Sequence, residues 1–278
     1  MVLSSLITNF EKGLYSTILN GDNEKTIGML KKKINNIQII HQFKILFWIT
    51  DNQNIEALKI LADNSDVDIH MFDDFCFRYS AGCGYLDLVK FFLQKKANIH
   101  ALKDDAFIWA AKNGHLNVVM YLKSKGANIH ARFDLAIALA AKEGHFDIVK
   151  YLYKEGLDIR TGKDAALRYA AENGHTEIVR FLMQRGANYH ADEEYALRKS
   201  LKNGHTEIAY ELLRRGANPN ANNYELLIWA IKNRKFDVLD ILLNAGGEAD
   251  FHDGKYLKIA KDQKDYELKK ILESYLES

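Results

Sequence analysis

The sequence predicts an all-α repeat protein, a solenoid of about nine helix–turn–helix units stacked side by side. The first observation is a stretch at residues 110–131 that recurs at 140–161 and 170–191 and, more weakly, at 200–221. The second is a constant step of 30 residues between Gly-His pairs, which begin at Gly114, Gly144, Gly174 and Gly204. The third is the helical spacing of apolar residues inside each copy. A fixed period in this range is the signature of a repeat array.

The repeat extends beyond these four copies when one apolar column is followed at the same step. The column comprises Leu58, Leu88, Val118, Ile148, Ile178, Ile208, Val238 and Leu268. Terminal repeats are expected to be atypical because their outer faces meet water. We therefore predict one uninterrupted array over residues 1–278. It would comprise a degenerate N-terminal capping repeat at 1–38, repeats at 39–250 and a C-terminal capping repeat at 251–278.

Each unit is predicted to contain two helices, as residues 105–131 illustrate. The first helix carries Ala110 on its apolar face and ends at Gly114, because glycine readily adopts the left-handed conformation that closes a helix. The second helix buries Val118 and Leu122 and ends in the same way at Gly126. The residues after it are expected to form a short extended connector to the next unit.

Two columns on the first helices predict how neighbouring units pack. Small residues, which let adjacent first helices approach closely, recur at Ser80, Ala110, Ala140, Ala170, Ser200, Ala230 and Ala260. Large residues, which would wedge between units, recur at Phe47, Phe77, Phe107, Ile137, Leu167, Leu197, Leu227 and Leu257. One unit cannot bury this surface alone, so we expect its stability to depend on its neighbours.

The composition is that of a globular protein, with 47% hydrophobic and 27% charged residues and a formal net charge of +1. This balance gives no global field that would favour nucleic acid or an anionic membrane. Cys76 and Cys83 lie on one predicted helix with their Cα atoms roughly 10 Å apart, too far for a disulfide. The N-terminus lacks the features of a secretory signal, and the most apolar run, 39–49, is too short to span a bilayer. We expect a cytoplasmic protein.

The pattern A-A-x-x-G-H-x-x-[IV]-V-x-x-L-x-x-x-G-A-[ND] resembles the ankyrin repeat family over nearly the whole chain. Two features depart from the family. Its T-P-L-H segment is replaced by D-A-F-I at residues 105–108 and by equivalents elsewhere, and the step is shorter than the usual ~33 residues. The missing residues fall where the family builds its β-hairpin, so shortened β-hairpin connectors are expected. The short step and the Asn, Ile and Lys bias are similar to ankyrin proteins of large DNA viruses of amoebae.

The ten histidines suggest a metal site, but their spacing argues against one. Histidines in one column lie one repeat apart, roughly 10 Å, whereas zinc ligands need nitrogens about 2.1 Å from a single ion. We therefore expect local hydrogen bonds and neither a metal nor another cofactor. No Gly-rich phosphate loop, GxSxG or HExxH motif occurs, and Cys76 is expected to be a buried small residue. An enzyme is not predicted.

The ankyrin resemblance implies that the first-helix face, which lines the groove, contacts protein partners together with the connector tips. The candidate partner-binding residues on this face are Tyr79, Trp109, Lys112, Leu139, Lys142, Tyr169, Glu172, Lys199, Lys202, Trp229 and Lys232. Aromatic side chains beside charged ones are typical of protein-binding patches. The alternative, which stays open, is that the aromatic rings pack between repeats and the lysines form a solvated face. The acidic connector tips argue against nucleic acid.

The leading prediction is a non-catalytic protein–protein interaction module that binds a protein partner on its concave groove as a monomer. It involves no nucleic acid and no membrane. If the viral resemblance is informative, the partner is a host factor. The alternative, from a different class, is a structural role as a virion or self-assembling scaffold component. A third interpretation is hydroxylation of connector Asn or His residues, for which the family is known.

Overall fold

The computed structural model describes residues 9–33, 39–64 and 66–277, and within these ranges it contains helices and turns but no strand. Contacts between Cα atoms divide the chain into two compact units, unit 1 (Met1–Ala136) and unit 2 (Ile137–Ser278). The predicted N-terminal capping repeat lies partly outside the described residues. Its described part forms two helices.

Unit 1 is a stack of helical pairs. Its helices are α1 (Asn9–Leu19), α2 (Asn23–Lys33), α3 (Ile39–Asp51), α4 (Ile55–Ala62), α5 (Met71–Gly82), α6 (Leu86–Gln94), α7 (Asp105–Lys112) and α8 (Leu116–Ser124). The helix α9 (Ala131–Lys142) contains the division between the units. First helices pack on first helices, as α5 does on α7, and second helices pack on second helices, as α6 does on α8.

Unit 2 repeats the same arrangement. Its helices are α10 (Phe146–Lys154), α11 (Thr161–Glu172), α12 (Thr176–Gln184), α13 (Ala191–Lys202), α14 (Thr206–Arg214), α15 (Ala221–Lys232), α16 (Phe236–Asn244), α17 (Lys255–Asp262) and α18 (Tyr266–Leu276). The first helices α11, α13 and α15 pack in sequence, as do the second helices α10, α12 and α14.

The two predicted packing columns are confirmed within each unit. Every member of the small column, from Ser80 to Ala260, is fully buried. In the large column, the six residues from Phe77 to Leu227 are also buried, while Phe47 and Leu257 near the ends are half-buried. Burial of the whole small column is what close packing of successive first helices within a unit requires.

The connectors are short, as predicted, but the β-hairpin form was wrong: the described connectors are compact left-handed turns without strands. Three consecutive residues have positive φ, between 48° and 69°, at 72–74, 102–104, 132–134, 162–164, 192–194, 222–224 and 252–254. We call each of these a left-handed turn, and in α5, α9, α11, α13 and α15 it lies within the first residues of the bounds given above, with the regular helix beginning after it. The conformation costs roughly 1–2 kcal/mol for each residue that has a Cβ. Contacts elsewhere in the fold must therefore offset this cost at every connector.

The turns between the two helices of a repeat behave as predicted, with Gly114 at a φ of 87° and Gly174 at 81°. At three of the four Gly-His pairs, the histidine bonds to the preceding repeat. His115 Nε2 donates to the Gly82 carbonyl at 3.0 Å, and His205 Nε2 donates to the Glu172 carbonyl at 3.1 Å. These bonds satisfy carbonyl groups at the C-termini of the first helices, which have no partner within their own helix.

Candidate functional site

In unit 1 the first-helix face is aromatic. The Phe47 and Tyr79 ring centroids lie 5.0 Å apart, and Phe75 is 6.0 Å from each of these two rings. The Tyr79 hydroxyl donates to Asp51 Oδ1 at 2.5 Å. This hydrogen bond, followed by burial, raises the pKa of Tyr79 above its ordinary value. Tyr79 is therefore held on one side by ring contacts and on the other by a carboxylate.

Trp109 extends this face onto the next repeat and is half-buried. A Cβ at Gly82 would lie 3.1 Å from Trp109 Cε3, so the glycine leaves the space that the indole occupies. The Arg78 guanidinium lies 5.6 Å from the ring centroid, within range of a cation–π interaction. Lys112, one turn further along α7, is exposed and forms no ion pair with any described residue.

The predicted residues of unit 2 fall into two groups that differ in exposure. Leu139, Tyr169 and Trp229 are half-buried in the first-helix packing. Lys142 and Lys232 are exposed, and no carboxylate of the described chain lies within ion-pair distance of either. Unit 2 thus presents two ammonium groups outside any ion pair of the described chain, of which Lys142 is near enough to Glu172 to help lower its pKa.

Glu172 is the centre of one charged cluster in unit 2. Its carboxylate accepts a hydrogen bond from the Tyr195 hydroxyl at 2.8 Å and lies 3.0 Å from Lys199 Nζ. Burial acts to raise the pKa of Glu172, but the hydrogen bonds from Tyr195 and Lys199 lower it overall. Lys199 is therefore a paired residue, and its pKa is raised chiefly by the hydrogen bond to Glu172.

Glu225 is the centre of a second charged cluster. It accepts hydrogen bonds from Lys202 Nζ at 2.7 Å and from Arg198 Nη1 at 2.8 Å. The hydrogen bond from Lys202 is the main cause of a lowered pKa at Glu225. Lys202 Nζ also lies 5.7 Å from the Trp229 ring centroid. Two of the predicted groove lysines, Lys199 and Lys202, are thus committed to bonds within the chain.

A hydrogen-bond ladder joins consecutive connectors within each unit. The third residue of the left-handed turn is a buried acid in most repeats, and it accepts the backbone N–H of an asparagine 24 positions later. Asp74 accepts from Asn98 at 2.9 Å, Asp104 from Asn128 at 2.7 Å and Glu194 from Asn218 at 3.0 Å. A histidine four residues before the acid completes this contact, as His100 Nδ1 does 3.0 Å from Asp104.

Three arginines fix left-handed turns from the first helix. Arg78 Nε and Nη2 donate to the carbonyls of Asp73 and Phe72 at 2.9 and 3.1 Å. Its third bond, from Nη1, reaches Asp105 on the next repeat at 2.8 Å. Arg168 and Arg198 make the same set of bonds in unit 2. These bonds help to offset the unfavourable backbone of the turns.

Sequence reasoning missed Phe75, Tyr195 and Glu225, which lie on the candidate face. They occupy the column four residues before the predicted aromatic column, and residues four apart share a helix face. The arginines were missed as well, because their roles depend on carbonyl groups of the left-handed turn. Residues 9–33, 39–64 and 66–277 contain no group of three or more metal-ligating side chains and no helix long and apolar enough to cross a bilayer.

The fold and its repeated connectors define a helical repeat protein of the interaction-scaffold class. A family model for ankyrin repeats matches the chain in three overlapping copies, at residues 46–133, 107–193 and 167–253. These matches cover well over half of the 278 residues, and the chain belongs to the ankyrin repeat family. A comparison with curated proteins finds no match.

Proposed function

We propose that this ankyrin repeat protein is a non-catalytic module that binds a protein partner on its first-helix faces. One observation carries the proposal. At a fixed register, each unit exposes side chains that packing does not require, while the small column behind them is constant and buried. In unit 2 these include Lys142 and Lys232, which lie on the same helices as the half-buried Leu139 and Trp229.

The test is reversal of the two free lysines, with matched changes on the second helices. Lys142→Glu with Lys232→Glu alters the first-helix face, whereas Lys154→Glu with Lys270→Glu makes the same change in net charge at exposed second-helix positions. Partners captured from a eukaryotic lysate by the wild-type chain would be identified by mass spectrometry, and their binding to both variants measured. Selective loss in the first variant supports the proposal. Equal binding by all three proteins contradicts it.

The finer parts of the proposal rest on sequence alone. They comprise one continuous array over residues 1–278, a monomeric state, a cytoplasmic location, and no binding to nucleic acid or membranes. The similarity to ankyrin proteins of large DNA viruses of amoebae supports a viral protein that engages a host factor. Capture from an amoebal lysate, compared with a human lysate, tests that origin.

One observation favours the assembly alternative. In the C-terminal repeat, Tyr266 and Leu276 are exposed, and Leu257 is half-buried where its counterpart Leu227 is fully buried. A second copy could cover this apolar surface. Light scattering over a hundredfold concentration range distinguishes the two roles. A constant monomer mass argues against assembly, while oligomers that disappear in the Tyr266→Ser, Leu276→Ser variant support it.

A further inference from the structure

The left-handed turns of unit 1 expose large apolar side chains, and those of unit 2 do not. Phe72, Leu102 and Phe133 are 63%, 46% and 87% exposed. We call these three residues the connector ridge. In unit 2 the first two positions of every turn hold glycine, asparagine, histidine or charged residues.

The fold does not account for the connector ridge. The three residues have φ values of 55°, 48° and 58°, a conformation that favours Gly, Asn or Asp over bulky side chains. Phe72 rests against Phe43 with ring centroids 4.7 Å apart, but Phe133 contacts no ring of the described chain. Large apolar residues here carry a backbone cost and remain in water. Large exposed apolar side chains on three successive connectors favour an interaction site.

The accessible charge in the cleft beside Leu102 and Phe133 is positive. A cleft of about 750 Å³ lies between the turns at 102–104 and 132–134, and its lining includes Lys103, Arg132 and Phe133. Lys103 is exposed and forms no ion pair with any described residue. The Arg132 guanidinium remains 37% exposed while it contacts Asp105. Asp104, which also lines the cleft, is buried and bonded to Asn128 N–H, so its charge is turned inward.

We propose that the connector ridge binds a protein segment that carries two large apolar side chains and a carboxylate. The apolar side chains pack on Leu102 and Phe133, and the carboxylate faces Lys103. This inference rests on the proposed protein-binding function and specifies the chemistry of the partner at unit 1. Adjacent connectors lie roughly 10 Å apart if repeats pack like neighbouring helices. Side chains three residues apart on a segment in the polyproline II conformation share one face, because that conformation has three residues per turn, and at about 3.1 Å per residue they match this spacing.

The experiment selects binders from a random dodecapeptide library displayed on phage, with the full chain as bait. Selected peptides are then synthesised, and their affinities are compared across variants by fluorescence anisotropy. The ridge variant is Phe72→Asn, Leu102→Asn and Phe133→Asn, because asparagine tolerates the left-handed backbone. The charge variant is Lys103→Glu. The matched control is Glu193→Asn, an exposed left-handed turn position in unit 2.

We expect peptides rich in Leu, Ile or Phe with an Asp or Glu between them, and an affinity loss of about tenfold or more in the ridge variant. Lys103→Glu should weaken binding by a smaller factor and recover when the peptide carboxylate is replaced by Lys. Peptides that bind the ridge variant as well as the wild type, or a selection that enriches no binder, would overturn the inference. If binding is lost only in the Lys142→Glu, Lys232→Glu variant, the inference that the connector ridge binds the partner is wrong, while the proposed protein-binding function stands. The ridge variant should melt at or above the wild-type temperature, because asparagine relieves backbone strain at the three positions, so a loss of affinity is not a loss of fold.

Discussion

Replacing Arg78 with Met tests whether burial decides how much an arginine contributes at a connector. Arg78 and its partner Asp105 are 6% and 7% exposed at a separation of 2.8 Å. Arg198 makes the same three bonds, but it and Glu225 are 18% and 32% exposed at the same separation. Methionine retains the apolar part of the side chain and removes the charge and the donors. Arg78→Met and Arg198→Met therefore remove the same three hydrogen bonds at two sites that differ in burial.

The expected magnitudes follow from the partners that remain. Removing one member of a buried ion pair costs about 3–5 kcal/mol, because the other charge is left uncompensated. Asp105 keeps a contact with Arg132 at 3.2 Å, so Arg78→Met is expected to lower the free energy of unfolding by about 3 kcal/mol. Glu225 keeps its ion pair with Lys202 at 2.7 Å and is partly open to water, so Arg198→Met is expected to lower the free energy of unfolding by about 1 kcal/mol.

Local stability is the appropriate measurement, because repeat proteins open in parts and need not unfold in one step. Hydrogen exchange of α5 and α7 would report the first variant, and exchange of α13 and α15 the second, with urea unfolding as a global check. A cycle with Asp105→Asn would isolate the coupling between the two side chains. Equal losses at the two sites, or no reduction of the Arg78→Met effect when Asp105→Asn is added, would refute the reasoning.

Three further predictions concern the glycines, the acids and the thiols. Both Gly174 and Gly204 have positive φ, but only a Cβ at Gly174 would meet the His205 ring, at 2.7 Å. Urea unfolding should therefore show that Gly174→Ala destabilises unit 2 more than Gly204→Ala does, by about 1 kcal/mol for the lost bond of the displaced His205. Equal losses would contradict this. The lowered pKa values of Glu172 and Glu225 contribute stability that is present above their usual value of 4.5 and lost as the pH falls below it. Acid unfolding followed by circular dichroism should therefore be less steep in the Glu172→Gln, Glu225→Gln variant, and an unchanged profile would count against it. Burial raises the pKa of the Cys76 thiol to about 12. Iodoacetamide should therefore modify the half-buried Cys83 first and reach Cys76 only on unfolding, which mass spectrometry would show. Modification of Cys76 in the folded protein would contradict its burial.

The repeat architecture could be predicted because its determinants are local and recur at one step. Gly114 ends a helix through its own conformational freedom, and Ala110 is selected by the close approach of one neighbouring helix. The left-handed turns could not be predicted in this way. Three consecutive residues such as Phe72, Asp73 and Asp74 oppose the local preference of the backbone. The turn is favoured by an arginine on the same helix and by a backbone N–H 24 residues further on, and only the fold brings these groups together.

The sequence predicted which candidate residues lie on first helices, but it did not predict which of their charged side chains form ion pairs. The 30-residue step correctly placed Lys142 and Lys199 on first helices, yet one is free and the other is paired with Glu172. Glu172 lies on the repeat between the two lysines, and it forms its ion pair with Lys199 at 3.0 Å while Lys142 stays beyond ion-pair distance. Pairing across repeats depends on which residues meet in space, and a column read at a fixed step does not contain that information.

The ladder between connectors has a consequence for how such a protein can change its length. The acceptor in each step is an acidic side chain, but the donor is a backbone N–H, which every residue except proline supplies. A repeat therefore needs no matching side chain to receive its predecessor, as the N–H groups of Asn98, Asn128 and Asn218 show. For this hydrogen bond, one repeat can therefore replace another. Duplication or deletion of a whole repeat would leave a backbone donor for this ladder at every remaining connector, so the ladder places no limit on arrays of different length.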